Sequence, residues 1–292
     1  ENCPEDEAHE LFKLPDFINT MMENKWLGSK TGQGFYRKEG KEIKVLDLNT
    51  LEYRASKKTS FATLELTKTI DKVIDRFKAL VSGKDKAGDF YRKNFAGMFE
   101  YVSNRIPEIS DELYKIDDAM KAGFGWEHGP FQIWDAIGVE KGIALMKAEG
   151  KQPAAWVQDM LTSGSKSFYS VKDGASFYYD IPKKSQEKIP GQDAFIILDN
   201  IRKSKEVFKN SGVVIEDLGD GILNCEFQSK MNTIGGDVLQ AINKAIDLSE
   251  KEYNGLVIGN QAANFSVGAN IGMIFMMAVE QEYDELNMAI KM

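Results

Sequence analysis

The sequence predicts a multi-domain protein that is mainly α-helical and ends in an α/β unit. Its 292 residues are enough for two or three domains. In the middle of the chain, apolar residues recur at helical spacing between glycines and prolines that end each helix. After Ser185 the pattern changes to short apolar runs on either side of a helix, which is typical of strands in a parallel sheet.

The composition describes an ordinary globular protein, with 42% hydrophobic and 28% charged residues. A net charge of −8 argues against a nucleic-acid partner, which needs a basic surface. Cys3 and Cys225 are too few for a disulfide framework or a zinc cluster, so we expect no metal site and a cytoplasmic location. The sequence contains no apolar run long enough to span a membrane and no signal-peptide pattern.

Residues 15–44 and 153–180 look like two copies of one unit. Each begins with a proline and a short helical run, followed by Gly-Ser-Lys, Phe-Tyr and an acidic residue next to glycine. The acidic–glycine pairs, Glu39-Gly40 and Asp173-Gly174, favour β-hairpins. We therefore prefer an internal duplication to coincidence.

The segment between the two copies is predicted to be helical. Residues 46–88 read as a lysine-rich surface connector with one amphipathic helix. Four apolar stripes follow in residues 95–150, separated by helix-ending glycines and a proline. Their residues are Phe95, Met98, Phe99, Val102 and Ile106, ended by Pro107; Ile109, Leu113, Ile116 and Met120, with Ser110 as N-cap and Gly123 at the end; Phe131, Trp134 and Ile137, between Gly129-Pro130 and Gly138; and Ile143 and Met146, ended by Gly150.

The last third of the chain predicts an α/β unit. Residues 183–191 form a charged linker, and residues 192–209 are expected to form a connecting helix. Strands at 213–216 and 222–227, a helix from Asp237 and a buried apolar strand at 255–259 complete a strand–helix–strand crossover. Residues 271–292 read as one helix that is still running at the end, so we expect a piece of a longer protein.

One string, AMKAGFGWEHGPFQIWDAIG at residues 119–138, resembles the second helical domain of fused 3-hydroxyacyl-CoA dehydrogenase/enoyl-CoA hydratase proteins of fatty-acid β-oxidation. The resemblance covers nearly the whole chain and implies a duplicated dehydrogenase C-terminal-like helical domain followed by an incomplete crotonase unit. It implies the following division: 1–45, tail of the first helical domain; 46–88, connector; 89–182, second helical domain; 183–210, linker and helix; 211–292, N-terminal part of a crotonase (enoyl-CoA hydratase/isomerase) domain.

A glycine-rich loop at residues 259–272 follows the last strand, where unpaired backbone amides can bind an anion. Its string FSVGAN, residues 265–270, resembles the first oxyanion-hole segment of crotonases, with Asn270 and Val267 in place of the usual aspartate and alanine. The resemblance implies that the Ala269 amide is one thioester-oxygen donor and that residues on two segments bind CoA. These are Val267, Ala269, Asn270 and Ile271 on the loop, and Lys230 (as phosphate partner), Met231 and Asn232 after the second strand.

The resemblance implies that a longer parent oxidises 3-hydroxyacyl-CoA with NAD and hydrates enoyl-CoA. The second oxyanion amide and both catalytic glutamates would lie beyond this sequence, and Glu280, Glu282 and Glu285 are expected to be solvated helix residues. Gly28, Gly32 and Gly34 follow a helix rather than a strand, which is the wrong context for NAD. His9 and His128 read as structural or exposed rather than catalytic, and the Asn104-Arg105 pair reads as structural. We therefore expect the chain alone to supply scaffold and part of a CoA-thioester site, without activity.

Two other functions stay open at this point. One is a non-enzymatic helical interaction or dimerisation module with an attached α/β unit, which would not bind CoA esters. The other is a complete enzyme with an unrecognised site. An acyl-CoA is the expected partner, and assembly into a homo-oligomer is compatible with the sequence.

Overall fold

The computed structural model describes residues 4–291, so Cys3 and Met292 lie outside the described residues. Contacts divide the chain into two compact units, one ending at Asp159 and the other beginning at Met160. Both units mix helix and sheet. The finer domain division expected from the sequence stays a prediction.

The first unit is mostly helical. Its helices pack by their apolar stripes, as the sequence predicts. They are α1 (Asp16–Glu23), α2 (Ala62–Thr67), α3 (Val73–Ser82), α4 (Lys86–Asn104), α5 (Leu113–Phe124), α6 (Pro130–Ile137), α7 (Val139–Ala148) and α8 (Ala155–Thr162), the last of which continues past Asp159. Strands β1 (Tyr36–Glu39), β2 (Glu42–Leu46) and β3 (Tyr53–Ala55) form an antiparallel sheet.

Aromatic rings fill the centre of this unit. Phe99 of α4 stacks on Trp134 of α6 with ring centroids 4.7 Å apart, and Phe95 stacks on Phe99 at 5.8 Å. Trp134 is fully buried, and its Nε1 donates to the Val139 carbonyl at 3.1 Å. Trp126, which lies in the same string of residues 119–138 as Trp134, is 37% exposed and does not belong to this core.

The segment expected to be a surface connector, residues 46–88, packs into this unit. Instead of one amphipathic helix it forms α2 and α3, and Leu80 and Val81 of α3 are buried. Asp85, the N-cap of α4, accepts hydrogen bonds from the Thr63 amide at 2.9 Å and the Thr63 hydroxyl at 2.7 Å. This carboxylate joins α2 to the start of α4.

Several predicted helix ends are confirmed and two are wrong. Gly129 and Pro130 begin α6 and Gly138 ends it, as predicted. Helix α5 begins after Glu112, because Ser110 closes a local turn with Glu112 instead of capping the helix. It continues through Gly123 and ends at Gly125, whose φ of +66° is left-handed.

The two similar segments each form a helix followed by a three-stranded antiparallel meander. The glycines of their Gly-Ser-Lys strings, Gly28 and Gly164, have φ of +99° and +94°. Asp173 and Gly174 form the two-residue hairpin loop as predicted, both with positive φ. In the first segment the loop is Gly40 and Lys41, one residue later than predicted.

The second unit contains two sheets. Strands β4 (Tyr169–Lys172), β5 (Ala175–Asp180) and β6 (Ser185–Lys188) form the meander. Strands β7 (Glu206–Lys209), β8 (Val213–Gly219), β9 (Ile222–Phe227) and β10 (Gly255–Ile258) form a sheet of order β10-β9-β8-β7, in which only β10 and β9 are parallel. The helices are α9 (Leu198–Ile201), α10 (Gly236–Glu252), α11 (Ile271–Val279) and α12 (Tyr283–Lys291).

Helix α10 connects β9 to β10 and packs on one face of this sheet, so the predicted strand–helix–strand unit is confirmed. The core between helix and sheet consists of alternate strand residues and one helix stripe. Its buried members are Val213, Ile215, Leu223, Cys225, Phe227, Val238, Ala241 and Ala245.

Four expectations for this unit are wrong. Residues 183–191 are not a plain linker, because β6 lies within them and pairs with β5. Residues 192–209 form only the four-residue α9 and the strand β7. Residues 271–291 form two helices rather than one, with Gln281 at φ +60° between them. Strand β10 is the edge of the sheet, and its Val257 and Ile258 are 46% and 42% exposed rather than buried. Within residues 4–291, no helix has the length and apolarity needed to cross a membrane.

Candidate functional site

The first segment of the candidate site follows β9. Lys230–Asn232 form a single 3-10 turn between the strand and α10. Met231 and Asn232 have φ of +53° and +54°, in the left-handed region that asparagine tolerates and methionine rarely adopts. The turn leaves Lys230 and Met231 exposed, whereas Asn232 is only 5% exposed.

Hydrogen bonds join this turn to the glycine-rich loop. The Asn232 side chain donates to the Asn264 carbonyl at 2.9 Å, and the Asn264 side chain donates back to the Met231 carbonyl at 3.0 Å. The Ser266 hydroxyl donates to the Asn232 carbonyl at 2.6 Å. The structure therefore brings together the two segments that the sequence proposed as CoA-binding.

Ala269 lies at the centre of this arrangement and forms an isolated parallel bridge with Ile234. The Ile234 amide donates to the Gly268 carbonyl at 2.9 Å, and the Asn270 amide donates to the Ile234 carbonyl at 3.0 Å. In a parallel bridge of this kind, the N–H of the middle residue points away from the partner. Within the described part of the chain, the Ala269 amide donates no hydrogen bond.

Helix α11 begins directly after Asn270. The Ile274 amide donates to the Asn270 carbonyl at 3.2 Å, which places Asn270 at the N-cap. Asparagine and aspartate are equally good N-caps, so the asparagine that replaces the expected aspartate preserves the helix start. The Ala269 amide therefore lies next to the positive end of a nine-residue helix, where a negative charge is favoured.

The other predicted site residues line the outside of the loop. Val267, Ala269, Asn270 and Ile271 are all exposed, with Val267 and Ile271 at 50% and 76%.

Glu280 and Glu282 lie in the break between α11 and α12 rather than in a helix, and Glu285 is exposed on α12. A hydrogen bond from Glu285 and its charge raise the pKa of Glu282. These carboxylates are solvated, as expected.

Sequence reasoning missed a buried polar cluster on the face of the sheet opposite α10. Its members are each at most 2% exposed: Glu216 on β8, and Asn224 and Glu226 on β9. Arg202 donates to both oxygens of Glu226 at 2.8 Å, and the Asn224 side chain donates to Glu216 at 3.1 Å. The sequence did contain one indication of this cluster: polar residues alternate with apolar residues along β8 and β9.

The carboxyl of Glu216 has a strongly raised pKa. Burial, together with the hydrogen bond and charge of Glu226, raises the pKa of Glu216 to about 8. The bidentate bond to Glu226 raises the pKa of Arg202. On the α10 side of the same sheet, burial raises the pKa of the Cys225 thiol to about 11, which makes it a poor nucleophile.

The remaining candidates make contacts within the first unit. His128 contacts Phe77 edge-to-face at 6.4 Å, and burial lowers its pKa. Arg105 forms ion pairs with Asp6, Glu7 and Glu108. Asn104 bonds to the Glu100 carbonyl of its own helix.

The glycines at residues 28–34 do not form a dinucleotide-binding turn. Gly28 and Gly34 lie between α1 and β1, around a 3-10 turn, and so lack the strand-to-helix context that a dinucleotide needs. Among residues 4–291 there is also no cluster of side chains suited to a metal ion.

Comparisons with known proteins find relatives whose names refer to 3-hydroxyacyl-CoA dehydrogenation and fatty-acid oxidation. It is 40% identical over 283 residues to “Probable 3-hydroxyacyl-CoA dehydrogenase” of Bacillus subtilis (strain 168). It is 22% and 24% identical, over 303 and 300 residues, to “Putative fatty acid oxidation complex trifunctional enzyme” of Rickettsia felis and Rickettsia prowazekii. These alignments include 97–98% of this chain but only 36% of each relative. No family model and no solved structure matches the chain.

Proposed function

We propose that the chain is part of a 3-hydroxyacyl-CoA dehydrogenase of fatty-acid oxidation, and that its second unit contributes one side of an acyl-CoA thioester site. The similarity to the Bacillus subtilis protein over nearly the whole chain supports the first statement. Two observations support the statement about the thioester site. Residues 230–232 are hydrogen-bonded to residues 264–270, and the Ala269 amide between them donates no hydrogen bond within the described residues.

In this proposal the Ala269 amide donates to the thioester carbonyl oxygen. A fixed backbone donor stabilises the negative charge that develops on that oxygen, without having to reorient during the reaction. The adjacent N-terminus of α11 favours the same charge. The exposed Lys230 binds a phosphate of CoA, and Met231, Val267 and Ile271 contact the adenine or the pantetheine chain.

The rest of the reaction belongs to a longer parent protein, which uses NAD as hydride acceptor. We assign no NAD-binding residues within residues 4–291, and the first unit serves as helical scaffold. Residues 211–292, within the second unit, are the opening of an enoyl-CoA hydratase/isomerase (crotonase) domain. The chain alone is therefore expected to bind an acyl-CoA and to catalyse neither reaction.

A matched pair of ligands tests the site. Crotonyl-CoA has the thioester carbonyl, whereas S-butyl-CoA is a thioether of the same length without it. Calorimetric titration should show that the chain prefers crotonyl-CoA by about fivefold, the value of roughly one hydrogen bond. The Ala269→Pro variant lacks the amide hydrogen and should lose this preference, while Ala263→Pro, at an exposed position of the same loop, should keep it.

Equal affinity of the unmodified chain for both ligands would contradict the role of Ala269. Binding of neither ligand would favour the non-enzymatic helical module instead. NADH formation from 3-hydroxybutyryl-CoA by this chain would contradict the assignment of the dehydrogenase chemistry to the longer parent.

A further inference from the structure

Asn232 is the most buried polar residue of the candidate site. It is 5% exposed, so its side chain has little surface to offer a ligand, although it lies between the exposed Met231 and the start of α10. It also has a φ of +54°. A buried asparagine in the left-handed region needs both its conformation and its hydrogen bonds explained.

We infer that Asn232 is a positioning residue: it holds residues 264–270 in the conformation that presents the Ala269 amide. What that amide binds rests on the function proposed above. The positioning itself rests only on the contacts of Asn232.

Two hydrogen bonds connect Asn232 to the beginning and the middle of the loop. The side-chain amide of Asn232 donates to the Asn264 backbone carbonyl at 2.9 Å. The backbone carbonyl of Asn232 accepts from the Ser266 hydroxyl at 2.6 Å. The same Ser266 oxygen accepts from the Gly268 amide at 2.9 Å. Asn232 therefore reaches, through one serine, the residue that precedes Ala269.

The chain continues from Gly268 to the bridge. The Gly268 carbonyl accepts from the Ile234 amide, two residues after Asn232, and the Asn270 amide returns to the Ile234 carbonyl. Both neighbours of Ala269 are thus tied to the segment that Asn232 begins. The direction of the Ala269 N–H follows from those two ties.

Few residue types satisfy these requirements together. The left-handed φ favours glycine, asparagine or aspartate. Glycine has no donor for the Asn264 carbonyl, and aspartate would place a carboxylate against that carbonyl. Asparagine combines the conformation with a short side-chain amide donor.

The Asn232→Gly variant tests the inference, because it keeps the backbone conformation and removes only the side chain. In the full 292-residue chain, we expect the Val267 and Asn270 amides to exchange about tenfold faster by NMR, since their acceptors lie on the segment that Asn232 anchors. We also expect the preference for crotonyl-CoA over S-butyl-CoA to be lost while the affinity for S-butyl-CoA stays within about twofold. A purely structural role would lower both affinities equally.

Two further variants keep the test decisive. Asn210→Ala removes an asparagine that also bridges two segments of the unit, donating to the Asp237 carbonyl at 2.7 Å, and should leave the preference unchanged. Ser266→Ala removes the link between Asn232 and Gly268 and should reproduce the loss of preference even where Asn232→Gly folds poorly.

The outcomes separate this inference from the proposed function. If the unmodified chain prefers crotonyl-CoA and both Asn232→Gly and Ser266→Ala keep that preference, the inference is overturned. If the unmodified chain shows no preference, the thioester role fails. Amide exchange then decides positioning alone: faster exchange in Asn232→Gly supports it, and unchanged exchange overturns it.

Discussion

Gly129 lies so close to Asp117 that a Cβ atom at residue 129 would be 2.3 Å from the Asp117 Cβ and Cγ atoms. The Asp117 carboxylate accepts from the Phe131 amide at 2.9 Å and the Gln132 amide at 3.0 Å. Helix α6 is therefore capped by a side chain of α5, because glycine at its own N-cap cannot supply one. The cap fixes how the helix that contains Trp134 enters the core.

We expect Gly129→Ala to destabilise the first unit by about 3 kcal/mol, the sum of an overpacked contact and a lost cap. Urea denaturation followed by circular dichroism measures the change. Gly97→Ala is the control, since nothing lies within 4 Å of a Cβ at this position of α4. It should stabilise by up to about 1 kcal/mol. An unchanged midpoint for Gly129→Ala would mean that Asp117 does not cap α6 as described.

The end of α5 gives a second prediction, with opposite signs at neighbouring glycines. Gly123 is helical and exposed, so Gly123→Ala should stabilise by about 0.5–1 kcal/mol. Gly125 has a φ of +66°, so Gly125→Ala should destabilise by about 1–2 kcal/mol. Thermal unfolding of both variants measures the difference. The reverse order would place the end of α5 at Gly123.

The buried Glu216 predicts a pH-dependent stability. Its pKa is raised from 4.5 to about 8, so between these values the folded state holds a proton that the unfolded state has lost. The free energy of unfolding should then fall as pH rises from about 5 to about 8, by up to about 1 kcal/mol per pH unit, and level off above. Glu216→Gln should remove this slope and be more stabilising at pH 8 than at pH 5.

Hydrogen exchange of β8 and β9 at increasing urea concentration follows that transition. Glu206→Gln is the control, because Glu206 is exposed on β7 and should keep the wild-type slope. A stability that rises between pH 5 and pH 8 in the wild type, and does so independently of Glu216, would contradict the assignment of a protonated carboxyl.

Lys230 predicts a dependence on the phosphates of the ligand. Lys230→Ala should weaken binding of crotonyl-CoA by about threefold and leave binding of crotonyl-pantetheine, which has no nucleotide, unchanged. The loss should shrink at high salt, because an exposed ion pair is screened. Lys209→Ala, exposed on β7, should affect neither ligand. Equal weakening of both ligands by Lys230→Ala would exclude a phosphate contact.

Helices and hairpins were predicted best from the sequence where glycine or proline sets the backbone conformation at their ends. Gly129-Pro130 and Gly138 bound α6, and Asp173-Gly174 forms a hairpin. The proline ring fixes φ at the helix start, and Gly138 and Gly174 adopt the positive φ that glycine tolerates because it has no Cβ. The predictions for Ser110 as N-cap and Gly123 as helix end were wrong, because each residue can also take a second local role. The Ser110 hydroxyl bonds within a turn, and Gly123 is tolerated inside a helix.

Pairing between distant segments was less accessible. The strand β7 has no independent pattern and forms by pairing with β8, so residues 206–209 were assigned to a helix. The loop at residues 259–272 was identified from its string, but the hydrogen bonds that join it to Asn232 depend on the tertiary fold. The cluster of Glu216, Asn224 and Glu226 was missed because alternation alone does not tell a buried polar face from a solvated one.

Trp134, which stacks on Phe99, is one of four tryptophans whose positions have a spectroscopic use. All four tryptophans of the chain, Trp26, Trp126, Trp134 and Trp156, precede Asp159 and so belong to the first unit. Tryptophan emission, excited selectively over tyrosine, therefore reports mainly on the first unit. A tryptophan introduced in place of Tyr253 would provide an optical reporter for the unit that contains Asn232 and Ala269.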